Sequence, residues 1–510
     1  MKGKVNNHLN TEITIENGNK DAIEKQHNSG KLTARERINL LLDTDSFIEV
    51  DKFAGSNIND TSVEVSSDSV ITGYGTVDGR LVFVYSQDLT VSSGAMSEKQ
   101  ASKIVKIQDM ALKMGAPIIG FMDSGGGKIE EGIDPLSAYG KILNNNTISS
   151  GVIPQISIVS GACVGSASFV AALTDFVFMV DDISSMFLNG PQLIKSQTND
   201  DITIEDLGGA MTNNEISGVA HFLDNNEEES INRVRELLSF LPSNNLENPI
   251  AYETFDNISR NESILNDIVP ENVYEPYEMK DIIKLISDDG NFFEIQPYFA
   301  PNLITGLIRL DGKTIGVVAN QPMVQDGLLD INSTDKGASF IRKCNAFNIP
   351  LLNLVDVEGY VSNKVEEHGG NIRHGAKMIF AYSEATVPKV TLIVRKAYGS
   401  GYLTMCNKDL GADQVFAWPG AEISSINPEG AANFLFKDDI ANSIDPIATR
   451  KDKILEYRST EASPYTAAKK GYIDDIIFPS ATRPRLISAF DMLETKRELR
   501  PGKKSGNMPV

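Results

Sequence analysis

Two stretches of this 510-residue chain are copies of one pattern at a fixed offset, and that duplication constrains the fold more than any other feature. Residues 386–413 read as a β-branched strand running into the small-residue turn Gly399-Ser-Gly401 and then a helix. Residues 147–175 repeat it, with Pro154 to Pro388, Gly165 to Gly399 and Ser166 to Ser400 each 234 positions apart. Asp78 to Asp311 and Asp123 to Asp356 are each 233 apart, and residues 38–54 recur as 283–300, with Phe47 to Phe292 and Glu49 to Glu294 each 245 apart. The first copy therefore carries about twelve extra residues between Ala54 and Gly73, within which lies the Ser/Asn/Asp-rich loop 55–67.

Each copy predicts the same run of elements. Thr33-Ala-Arg-Glu36 is a capping-box sequence ahead of Ile38, Leu40, Leu41 and Leu42. Asp78-Gly79 and Asp311-Gly312 each separate two apolar, β-branched runs and predict hairpins over 73–84 and 306–318. Ile104, Ile107, Ala111 and Met114 mark one apolar helical face, as do Ala338, Ile341 and Cys344. Strands at 117–122 and 350–355 run into Asp123 and Asp356. Strands alternating with helices imply an α/β fold: two duplicated domains, each with a mainly parallel sheet and flanking helices. The Asn-, Glu-, Pro- and Ser-rich stretch 242–280 is the expected linker, with domains at 1–270 and 271–510. That length suits two cores better than one.

Charge and composition remove several function classes. A net charge of -22 argues against nucleic acid as a partner and obliges any phosphorylated ligand to find a local basic patch. No apolar run reaches the length of a membrane span, and the polar, Asn-rich first nineteen residues, expected to form an arm, lack a signal-peptide core; a cytoplasmic location is expected. Cys163, Cys344 and Cys406 have no metal-type spacing and the five histidines form no His-x-x-x-His pair, so no metal site is expected.

The chemistry-bearing stretches are rich in glycine. Asp123-Ser-Gly125-Gly126-Gly127-Lys128 ends a strand and lets a ligand approach backbone N–H groups, and Gly165-Ser166 opens a helix nearby in the same copy. Amides from two such turns converging on one point can hold a thioester oxygen as it becomes an enolate. The alternative is that these glycines only let helices pack closely on strands. In the second copy, Gly369-Gly370 opens a helix on which Arg373, His374 and Lys377 either meet an anion or brace the helix by local ion pairs.

Nearly the whole chain resembles the carboxyltransferase family of biotin-dependent acyl-CoA enzymes. The resemblance is carried by Val152-Ile-Pro-Gln155, Ala172-Leu-Thr-Asp175, Ile372-Arg-His-Gly-Ala-Lys377, Ala385-Thr-Val-Pro-Lys389, Arg395-Lys-Ala-Tyr398 and Gly471-Tyr-Ile-Asp-Asp-Ile-Ile477. Within the family, Leu403-Thr-Met-Cys406, Lys408-Asp-Leu-Gly-Ala-Asp413 and Ala417-Trp418-Pro are more similar to methylmalonyl-CoA decarboxylase α subunits than to propionyl-CoA carboxylase β subunits.

The resemblance implies two crotonase-like domains, a homo-hexamer, acyl-CoA held largely by the N-terminal domain and biotin, on a separate carrier protein, largely by the C-terminal one. It implies a biotin carboxylase or a membrane decarboxylase subunit as a further partner. Carried over residue by residue, one backbone oxyanion hole falls on Gly165-Ser166 and the other on Ser400-Gly401. Substrate-side positions fall on Gly125, Gly126, Gly127, Lys128, Gly399 and Leu403, with Leu403 shaping the acyl pocket, and biotin-side positions on Gly359, Gly369 and Gly370. The expected reaction moves a carboxyl group between a malonyl- or methylmalonyl-type acyl-CoA and biotin, with decarboxylation the expected direction. Acyl-CoA carboxylation and a biotin-independent crotonase-like activity are the alternatives. The chain departs from the family pattern at Ser166, Ser400, Lys128 and Glu358-Gly-Tyr-Val-Ser-Asn363. A serine serves at an oxyanion hole only where its φ is negative or mildly strained.

Overall fold

The computed structural model describes residues 4–5, 18–54 and 69–510. The loop 55–67 and most of the polar arm lie outside the described residues. The chain divides into two compact units, Met1–Asn248 and Pro249–Val510. The division precedes the position near 270 because residues 249–270 pack on the second unit. Tyr252 donates its N–H to the Gly312 carbonyl (3.0 Å) and Leu265 is buried among Met279, Trp418 and Phe490.

Each unit holds a sheet of 8 strands with the same plan. In the first, Ile48–Val50, Val70–Val77 and Arg80–Gln87 pair antiparallel, and Ile118–Ser124, Gln155–Val164, Phe176–Val180 and Phe222–Asp224 continue in parallel. In the second, Phe293–Ile295, Leu303–Leu310 and Lys313–Asn320 are antiparallel, followed in parallel by Leu351–Val357, Lys389–Tyr398, Gln414–Ala417 and Asp475–Ile476. Both hairpins turn at the expected Asp-Gly, with φ 50° and 78° at Asp78-Gly79 and 52° and 73° at Asp311-Gly312. Two successive positive φ values match the right-handed twist of the flanking strands.

The expected capping box is present: the Thr33 side chain accepts the Glu36 N–H while Glu36 accepts from Thr33. The duplicated helix and Phe-x-Glu strand carry the same ion pair, Arg35 to Glu49 at 3.0 Å and Lys280 to Glu294 at 2.8 Å. Ile104, Ile107 and Ala111 are buried as expected, but Met114 is 63% exposed. It is the last helical residue before Gly115, whose left-handed backbone ends the helix.

A shared irregularity positions the two corners. Along the pairing of Ile118–Ser124 with Gln155–Val164, three residues (Ser160, Gly161, Ala162) lie opposite Asp123 alone. In the second unit Val394, Arg395 and Lys396 lie opposite Asp356 alone. Past this bulge the long strand leaves the neighbour on its other side, Phe176–Val180 or Gln414–Ala417, and pairs with a short one, Ser185–Phe187 or Glu422–Ser424. The sheet thus splays at its carboxyl edge, where the corner helix emerges.

Candidate active site

Both bulges are built around a buried carboxylate whose compensation differs between the units. Asp123 receives Lys31 Nζ at 2.7 Å and Arg37 Nη2 at 3.1 Å, both from the N-terminal segment. Gly161 makes room for this, since a Cβ there would lie 2.1 Å from Asp123 Oδ1 and 2.5 Å from Lys31 Nζ. The equivalent position in the second unit is Arg395, which supplies the countercharge itself, its Nε donating to Asp356 Oδ2 at 2.9 Å. Asp356 Oδ1 also accepts the Lys396 N–H at 3.1 Å. A buried carboxylate needs both charge pairing and hydrogen bonds, and both units meet that requirement.

From Asp123 the chain enters the glycine loop. The Gly126 carbonyl accepts the Met96 N–H and the Lys128 N–H donates to the Met96 carbonyl, each at 2.9 Å. Gly126 has φ 111°, and a Cβ on Gly127 would lie 2.9 Å from Pro135. Gly125 is exposed, and Lys128 is held by Glu131 at 3.2 Å. The second unit repeats this docking: the Leu329 N–H donates to Gly359 O at 3.0 Å and the Val361 N–H to Leu329 O at 2.8 Å. The altered loop there is firmly seated, for the hydroxyls of Tyr360 and Thr404 are 2.7 Å apart and the Glu358 carboxylate reaches Lys396 Nζ (3.3 Å) and Asn427 Nδ2 (3.1 Å).

The glycine loops meet the corners within each unit. In the first, Gly165 adopts φ 64° and ψ -130° and its N–H donates to Phe187 O at 3.0 Å. That bond withdraws the Gly165 N–H from the expected pair, because the short strand Ser185–Phe187 claims it. The Ser168 N–H turns back to the Gly165 carbonyl at 3.1 Å, so the corner's outward donors are the N–H groups of Ser166 and Ala167, which have no carbonyl four residues back within the helix. In the second unit Gly399 is left-handed (φ 51°) and the helix Gly399–Thr404 begins there, so Ser400 and Gly401 lie in its first turn. Neither Ser166 nor Ser400 has a positive φ; the left-handed positions are Gly165 and Gly399. The serines therefore add a hydroxyl without backbone strain.

Each corner helix borders a cavity. In the first unit a crevice of about 440 Å³ is lined by uncharged residues, including Ser168, Phe169, Phe187 and Leu188. In the second a cavity of about 560 Å³ is lined by Gly399, Tyr402, Leu403, Lys408 and Lys470 among others. Leu403 occupies the position of Phe169 and is 40% exposed. Lys408 and Lys470 are paired with Asp474 and Glu461.

Gly369 and Gly370 serve differently from the corner glycines. They join the helices Lys364–Gly369 and Asn371–Glu384, and the Gly370 N–H is occupied by the carbonyls of Glu366 and Glu367. His374 Nδ1 and Lys377 Nζ both reach Asp335, at 2.7 and 2.9 Å, and Arg373 Nη1 donates to Val510 O at 3.2 Å. This is the bracing arrangement. The three cysteines are buried, and burial pushes the Cys163 and Cys406 thiols up to about 12, keeping both protonated at neutral pH.

What the sequence did not single out is Asp123 and Asp356 as the anchors of both loops. Their identical placement at strand ends in both copies was the available signal.

Residues 25–508 match the family described as carboxyl transferase domain. The chain is 51% identical over 496 residues to methylmalonyl-CoA decarboxylase subunit alpha of Veillonella parvula, covering 97% of this chain and 96% of that one. It is 48% identical over 502 residues to the propionyl-CoA carboxylase carboxyltransferase subunit of Haloferax mediterranei, covering 98% and 97%. Among solved structures, a transcarboxylase 12S hexamer assembly with methylmalonyl-coenzyme A and methylmalonic acid bound superposes with a TM-score of 0.96 at 47% identity, covering 100% of this chain and 98% of that one. The fold is thus two duplicated crotonase-like domains, and the chain belongs to the carboxyltransferase family of acyl-CoA enzymes.

Proposed function

We propose that this carboxyltransferase moves a carboxyl group between a methylmalonyl- or malonyl-type acyl-CoA and biotin borne on a separate carrier protein, working in the decarboxylating direction. The observation that carries this reading is the pair of equivalent corners, each a helix that borders a cavity and each anchored by a buried aspartate–arginine ion pair. Two reactants whose carbonyl oxygens gain negative charge call for two such donor sets. The amides of Ser166 and Ala167 are assigned to the thioester oxygen, with Gly125, Gly126, Gly127 and Lys128 alongside. Ser400 and Gly401 are assigned to the ureido oxygen, with Gly359 packed beneath them. The second cavity, lined by Gly399 and Tyr402 on either side of Ser400 and Gly401 in the chain, is assigned to the ureido ring. Biotin supplies there a nitrogen that accepts or returns the carboxyl group. The chain's own residues position and polarise, while the buried thiols remain protonated.

The similarity to methylmalonyl-CoA decarboxylase α subunits supports the direction, and the partner proposed on that reading is a membrane decarboxylase subunit acting with a cytoplasmic hexamer. Similarity to propionyl-CoA carboxylase subunits supports the carboxylating alternative, in which a biotin carboxylase takes that place. Incubating the protein with methylmalonyl-CoA, with and without free biotin, and following propionyl-CoA by chromatography tests the reading. Biotin-dependent product is expected. Product formed equally without biotin would replace it by the crotonase-like alternative.

Leu403 lines the cavity assigned to the ureido ring, and because the acyl carbon must reach the ureido nitrogen for the carboxyl group to pass, the same side chain is assigned to acyl selection. Leu403→Asp is expected to change the ratio of kcat/KM among the carboxylated acetyl-, propionyl- and butyryl-type substrates (malonyl-, methylmalonyl- and ethylmalonyl-CoA) by about 10–200-fold per methylene. Unchanged ratios would remove Leu403 from that role.

A further inference from the structure

The second unit contains a crevice of about 290 Å³ that shares no lining residue with the corner cavity. Its walls include the apolar side chains of Leu265, Val269, Val273, Val394 and Trp418, and its cation is Arg395. The Arg395 side chain is only 4% exposed. Its guanidinium is fixed in two directions, Nε donating to Asp356 at 2.9 Å and Nη1 to the Glu275 carbonyl at 2.7 Å. Its face lies 4.8 Å from the Tyr277 ring centroid. Among the described residues the structure records no protein acceptor for Nη2. A buried, oriented guanidinium with one unused nitrogen against an apolar wall is the pattern of a small-ligand site with a single polar anchor.

We propose that this crevice binds a short-chain monocarboxylate, with the carboxylate on Arg395 Nη2 and the alkyl tail against Val269, Val394 and Trp418. Three features select that class. The N–H groups of Nη2, still carrying the guanidinium charge, donate charge-assisted hydrogen bonds that an oxyanion accepts better than a neutral group. The volume and apolar walls suit a short alkyl chain, and Glu271, also lining the crevice, opposes a second negative charge on the ligand. Asp356 already balances the Arg395 charge, so binding is modest, with a dissociation constant on the order of 1 mM for a ligand of this size. The site touches the strand that carries the second corner but does not depend on the proposed transfer reaction.

Trp418 is the sole tryptophan of the chain, is 3% exposed and forms part of the crevice wall, so the protein's tryptophan emission arises at this crevice. The full-length protein is titrated at constant ionic strength with butyrate and, separately, with its neutral counterpart butyramide. Butyrate is expected to give a saturable change in Trp418 emission with a midpoint on the order of 1 mM, and butyramide to bind at least about tenfold more weakly. Val269→Phe, which fills the crevice, is expected to abolish the response. Arg395→Lys, which keeps a charge facing Asp356 but has no counterpart of Nη2, is expected to weaken it about tenfold and carries the comparison if the first variant does not fold. No saturable change with butyrate, an equal response to butyramide, or an undiminished response in the variants would overturn the proposal.

Discussion

Gly401→Ala is expected to reduce biotin-dependent carboxyl transfer by about 10²–10³-fold, the loss typical of one misplaced oxyanion donor. A Cβ at Gly401 would lie 2.9 Å from Gly359 Cα, 2.9 Å from Val357 Cγ2 and 3.1 Å from Gly359 N. Two of these three atoms are backbone, so no rotamer change relieves the contact; the corner helix and the loop must separate. That separation carries the Ser400 and Gly401 amides away from the oxygen they are assigned to. Binding of acyl-CoA, assigned to the other unit, is expected to persist, so calorimetry should show a bound substrate while turnover falls. Full activity in Gly401→Ala would remove the second corner from the reaction. Ser400→Gly is the control: Ser400 has no positive φ, and the reading uses only its N–H, so activity of the same order is expected.

Arg37→Met is expected to destabilise the first unit by about 3–5 kcal/mol, the range for a broken buried ion pair. Arg37 is fully buried and donates through Nε to Glu227 (2.5 Å) and through Nη2 to Asp123 (3.1 Å), Glu227 (3.0 Å) and the Ser160 carbonyl (3.0 Å). Its removal leaves Asp123 with Lys31 alone and Glu227 with the Leu32 N–H. Thermal unfolding should report a fall in Tm on the order of 10 °C. Arg37→Met combined with Glu227→Leu should recover part of it, because the uncompensated charge is then absent. A Tm unchanged in the single variant would show that Lys31 suffices for Asp123.

The two predictions differ in how much of their basis the sequence displayed. The corner at Gly399-Ser400-Gly401 was legible because strand, turn and helix signals are local and recur at Gly165-Ser166. The contact of Gly401 with Gly359 was not, since it depends on how two loops approach in space. Arg37 was legible only as part of an apolar-periodic helix. Its partners Asp123 and Glu227 lie 86 and 190 residues away.

The sequence by itself determined the duplicated α/β plan, the two Asp-Gly hairpins, the capping box at Thr33 and the place of both glycine corners. These follow from side-chain periodicity and from backbone angles that few residue types tolerate, which are properties of neighbouring residues. Tertiary structure alone decided that the Gly165 N–H is taken by Phe187, that Met114 is exposed, and that residues 249–270 join the second unit. It also decided that Asp123 is neutralised from a distant helix while Asp356 is neutralised from the adjacent strand. Hydrogen-bond and charge partners are chosen among groups that only the packed sheet brings within reach, and a repeat in sequence does not oblige both copies to choose alike.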